Sequence, residues 1–98
     1  MIDYEARLAI IRKILWDYNI SGEDCISVLE GKQLFAGHYN EQNLFIKVLE
    51  SFPWYTVMDL IPMDRIRALL TEELINKLRA EQLKKRYEFI RARLSEAV

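Results

Sequence analysis

The stretch PWYTVMDLIP, residues 53–62, limits the fold more tightly than any other part of the chain. Proline lacks the N–H that a helix interior needs and disfavours helix in the residue before it, yet it fits the first turn of a helix. Pro53 and Pro62 therefore each open a short helix and close whatever precedes them, which predicts helices over about 54–61 and 63–70. The first is apolar on almost every side: Trp54, Tyr55, Val57, Met58, Leu60 and Ile61 leave only Thr56 and Asp59 polar. Such a helix is either central to a core or part of an interface.

The remainder reads as helical too, since there are only three Gly and no run of alternating apolar and polar residues. Asp3 is an N-cap for a helix over about 3–18, with Tyr4, Leu8, Ile11, Ile14, Leu15 and Tyr18 on one stripe and Trp16 well off it. In SGEDCISVLEG, Ser21 caps a second helix over about 22–30, and Gly31 is free to take the left-handed conformation after its last turn. Residues 32–40 lack a clear period and read as a loop that Leu34 and Phe35 pin to the core. Asn40 caps a third helix to about Ser51, with Leu44, Phe45, Val48, Leu49 and Phe52 facing inward.

Thr71 caps the C-terminal segment, whose apolar residues fall on two opposed faces. With Leu74 at zero, Leu78 and Ile75 lie at about 40° and 100°, whereas Leu83, Tyr87, Ile90 and Leu94 lie at about 160° to 220°. One straight helix would need neighbours on both sides; a break near RAE, with a new helix from about 81, buries both faces more easily. The expected architecture is all-α, a compact single-domain bundle of five or six helices spanning 1–98, with a broken or protruding C-terminal helix. Its core is expected to hold Tyr4, Leu8, Ile11, Leu15, Leu44, Val48, Leu49, Val57, Leu60, Leu69 and Leu74.

Ninety-eight residues suit one domain, and 51% hydrophobic with 30% charged residues supplies both a core and a solvating surface. The formal net charge of −1 gives the whole molecule no reason to seek polyanions. It is unevenly spread: residues 1–62 carry five Lys or Arg against nine Asp or Glu, and residues 63–98 carry nine against six. That asymmetry fits either a basic surface at one end or a solvated helix of alternating sign. Cys25 is the single cysteine, so no intramolecular disulfide is available. The first residues show no basic region followed by a long apolar one, and charges interrupt every apolar run short of the roughly 20 residues that span a bilayer. A soluble, reducing, cytoplasmic setting is the expectation, with no membrane contact.

Catalytic chemistry has little to draw on. His38 and Cys25 are each alone of their kind and in separate segments, so no metal site is expected. Cys25 sits near a helix N-terminus, but Glu23 and Asp24 oppose a thiolate by like charge, and its expected role is a small buried hydrophobe. His38, between Gly37 and Tyr39, is expected to bond locally or pack against a ring. The neighbouring acids Glu23 with Asp24 and Glu72 with Glu73 complement helix dipoles, and no glycine-rich phosphate loop is present. The sequence therefore predicts neither enzyme activity nor a cofactor.

A protein-binding role accounts best for two aromatic clusters built from the residue types that dominate interface centres: Trp16 with Tyr18, and Trp54 with Tyr55, joined by Met58. Filling a small core is the competing use of the same side chains. The alternative function is a small DNA-binding regulator of helix-turn-helix type, contacting nucleic acid or an acidic partner through Arg65, Arg67, Lys84, Lys85 and Arg86. Asp64 thins its base-reading face, and Glu81, Glu88 and Glu96 dilute its basic tail. A further reading is self-association of the C-terminal helix through a seam of Leu83, Tyr87, Ile90 and Leu94.

Three patches together, LWDYN, LESFPWYTVMDL and LRAEQLKKRYEFIRARL, resemble a group of small, poorly characterised bacterial all-helical proteins often encoded beside nucleotidyltransferase-like proteins of the abortive-infection toxin type. The likeness runs from about Ile14 to Leu94 on aromatic and leucine positions. It implies an antitoxin-like companion that docks on the neighbouring enzyme and modulates it, and it carries over no catalytic residue. In the resembling group a Ser or Pro often starts a helix where this chain has Ala80 and Glu81.

Overall fold

The computed structural model describes residues 3–15 and 20–96. These form α1 (Tyr4–Arg12), α2 (Gly22–Leu29), a hairpin of β1 (Phe35–Ala36) and β2 (Tyr39–Asn40), α3 (Glu41–Ser51), α4 (Trp54–Leu60), α5 (Met63–Leu69), α6 (Glu72–Asn76) and α7 (Glu81–Glu96). The fold is broadly all-α, but seven helices and a small sheet among the described residues replace the five or six helices expected. No described helix is long and apolar enough to cross a membrane.

Local chemistry sets most of the boundaries. The side chains of Asp3, Ser21, Asn40 and Thr71 each accept a hydrogen bond from the backbone N–H three residues on, at 2.8 to 3.2 Å. Each satisfies one donor that a helix start leaves orphaned. Phe52 and Ile61, the residues before the prolines, are extended and end α3 and α4.

Three expectations need correction. α1 ends at Arg12 rather than near residue 18: Lys13, Ile14 and Leu15 continue in tight turns whose N–H groups bond three residues back. The start of α2 packs close at this point, for a Cβ added to Gly22 would lie 3.1 Å from Leu8 and 3.3 Å from Ile11. Residues 35–40 are a hairpin rather than a loop, with Ala36 opposite Tyr39 and Phe35 opposite Asn40. Gly37 turns it with a φ of +61°, and Ile20 lies so close that a Cβ there would sit 2.5 Å from it. Alternation along the strand buries Ala36, so Leu34 and Phe35 do not pin the segment but stand exposed.

The third correction concerns the core, which is otherwise as expected. Leu8, Ile11, Leu44, Val48, Leu49, Val57, Leu60 and Leu74 are buried in one cluster, whereas Leu15 and Leu69 only pack against it and Tyr4 is 45% exposed. One turn beyond Tyr4, Arg7 takes the inward position, and it is 6% exposed. Its Nη2 and Nε donate to the carbonyl of Leu60 at 2.7 and 3.2 Å, and its Nη1 donates to Glu30 at 3.1 Å. Arg7 thus satisfies a carbonyl at the end of α4 and ties α1 to both α4 and the cap of α2.

The C-terminal segment does break, between α6 and α7. The Glu50 carboxylate accepts from the Arg79 N–H at 3.0 Å and holds the turn. Leu74, Ile75 and Leu78 then enter the core from α6 and its end. From α7, Tyr87 is fully buried while Leu83, Ile90 and Leu94 pack against the cluster. Two opposed faces in sequence become two inward faces in space, and of the self-association seam Tyr87 is buried while Leu83, Ile90 and Leu94 keep part of their surface in solvent.

Candidate functional site

α4 sorts its side chains by direction. Val57 and Leu60 point into the core with no exposure, and Trp54 is half-buried with its ring edge-on to Tyr87 at 6.1 Å. An aromatic pair of this geometry is worth about 1 kcal/mol beyond the area it buries. Tyr55 and Met58, one turn apart and therefore on a common face, are 68% and 37% exposed. Burial keeps the Tyr87 phenol protonated by raising its pKa, against a smaller lowering from Arg86.

Of the two described aromatic residues expected to bind a partner, Tyr55 is presented outward. Trp54 faces the core, and Trp16 and Tyr18 lie outside the described residues. Met58 joins Tyr55 on the outer face. Its i, i+3 spacing from Tyr55 was the signal for that pairing, obscured because the whole helix is apolar.

The basic candidates are scattered rather than gathered. Arg65 turns inward: it pairs with Glu41 and lies against Gly31, whose φ is +78° and where a Cβ would be 3.0 Å from the guanidinium. The Arg65 Nε is buried and makes no hydrogen bond among the described residues. Lys84 is half-buried and pairs with Glu81 at 3.3 Å, while Lys85 and Arg86 are exposed on α7. Arg67 is exposed beside a cleft of about 300 Å³ between α5 and the end of α7.

Cys25 is fully buried, and burial first, then the Asp24 charge, pushes its thiol pKa up to about 11. At neutral pH it is a protonated, buried thiol, as expected of a small buried hydrophobe. His38 is exposed on the hairpin turn and packs its ring on Tyr39 at 4.3 Å. Among the described residues, no group of three or more His, Cys, Asp or Glu side chains is placed to hold a metal ion. No family model, curated protein or solved structure matches the chain.

Proposed function

We propose that this chain is a non-enzymatic, cytoplasmic protein-interaction module that docks through the outer face of α4. The observation that carries the reading is the exposed pair Tyr55 and Met58, backed by the rigid inner face of the same helix. Tyrosine combines a large apolar ring with a hydroxyl and concentrates at interface hot spots, and methionine adapts its shape to a partner. Anchored by Val57 and Leu60, the pair is held ready, so binding costs less conformational entropy.

The resemblance of the chain to companions of abortive-infection proteins suggests the partner: a nucleotidyltransferase-type protein, with this chain acting in an antitoxin-like way. Co-expression with a nucleotidyltransferase-type protein of the abortive-infection kind, taken from the same genome, tests this. The expected result is a complex that survives size-exclusion chromatography and is weakened at least about tenfold by Tyr55→Ala with Met58→Ala, the loss of one hot spot. A protein that always elutes alone overturns the antitoxin reading.

The helix-turn-helix alternative has less support, because Arg65 is committed to Glu41 and α5 offers only Arg67 beside Asp64. The expected response to duplex DNA is absent or flat across a salt series. Steeply salt-dependent binding would restore that alternative.

A further inference from the structure

We propose that the cleft between α5 and the end of α7 is a binding site for a phosphate monoester with a compact apolar or aromatic moiety. Its volume, about 300 Å³, is at the lower end of the range for small-molecule sites. Arg67, Thr71, Arg91 and Ser95 supply its polar lining, and Leu70 and Leu94 its apolar lining. Every polar side chain in that set can donate a hydrogen bond, and no carboxylate is among them.

The donors are also available. Arg67 makes no ion pair or hydrogen bond among the described residues. Arg91 has only a 3.6 Å contact with Glu72, a side chain that is 78% exposed and free to swing into water. The Thr71 hydroxyl accepts from the Leu74 N–H, which leaves its own proton to donate. Arg91 also lines a second cleft with Glu72, Asn76 and Glu88, so it borders both a cleft that holds carboxylates and one that holds none.

Two guanidinium groups and two hydroxyls match the three terminal oxygens and roughly −1.5 to −2 charge of a phosphate monoester better than the two oxygens of a carboxylate. Leu94, half-buried against the core beside the buried Leu70, provides the surface for an apolar moiety. The site is independent of α4 and of any protein partner.

Titration of the isotope-labelled full chain with phenyl phosphate at low ionic strength, followed by amide NMR shifts, tests the assignment. Saturable shifts centred on Arg67, Leu70, Thr71, Arg91, Leu94 and Ser95 are expected. Inorganic phosphate should shift the same amides with weaker affinity, and benzoate should bind at least about tenfold more weakly than phenyl phosphate. Arg67→Gln with Arg91→Gln, shown folded by the same spectra, should also weaken phenyl phosphate at least about tenfold, and Ser95→Asp should do so by like charge at an exposed position. The proposal is overturned by an absence of saturable shifts, by shifts centred on Lys84, Lys85 and Arg86, by equal affinity for benzoate, or by affinity unchanged in both variants.

Discussion

The two sides of α4 use the same kinds of residue to opposite ends. On the inner side Val57 and Leu60 have no exposure, the Leu60 carbonyl takes two bonds from Arg7, and Trp54 meets the buried Tyr87. On the outer side Tyr55 stands mostly in water and Met58 partly so. The helix has seven residues, too few to persist alone, so the inner contacts are what keep it helical. The outer face is therefore a surface whose geometry is fixed by its back, and changes on the two sides should separate stability from binding.

Arg7→Ala tests the inner side most severely. It leaves the Leu60 carbonyl with two lost bonds and the largely buried Glu30 with only Lys32, at 3.5 Å. A loss of about 3 to 4 kcal/mol is expected in denaturant unfolding, as for breaking other buried charge pairs. A loss below about 1 kcal/mol would mean that α4 is held by apolar packing alone.

Alkaline pH should erode the core as well. Cys25 has its pKa raised from 9.0 to about 11, so its full contribution is present below pH 9 and is lost as pH rises through 11. Up to about 3 kcal/mol is at stake, and the raised Tyr87 phenol adds to the decline above pH 10. Unfolding measured from pH 7 to 11 checks this, with Cys25→Ala expected to flatten the curve. A smaller effect, about 1 kcal/mol, is expected from Glu50→Ala, which removes the acceptor for the Arg79 N–H at the α6–α7 break. On the outer side, Tyr55→Ala and Met58→Ala should each alter stability by no more than about 0.5 kcal/mol.

How much of this was legible in the sequence depended on the range of the interaction. The caps Asp3, Ser21, Asn40 and Thr71 and the two prolines act over three or four residues, and the helix starts they mark are where the sequence placed them. The opposed apolar faces after Thr71 favoured a break, because one straight helix would have needed neighbours on both sides. Arg7 was missed because an apolar-stripe count passes over a charge, and its acceptor on Leu60 lies 53 residues away. Leu34 and Phe35 were misplaced because a two-residue hairpin is too short to show alternation, so the larger side chains drew attention from Ala36. The cleft beside Arg67 has walls that are distant in sequence and meet only after α7 folds back. Tyr55 was recognised as a candidate, but which apolar residues of α4 point outward depended on the packing of its neighbours.

The central claim is that the outer face of α4 binds and its inner face supports. The most direct measurement pairs thermal unfolding with partner binding for the double variant Tyr55→Ala/Met58→Ala. The melting temperature should stay within about 5 °C of the parent, since 1 kcal/mol moves a domain of this size by roughly 4 to 8 °C. Affinity for the proposed nucleotidyltransferase-type partner should fall at least about tenfold. A variant that binds as tightly as the parent while remaining folded would contradict the account.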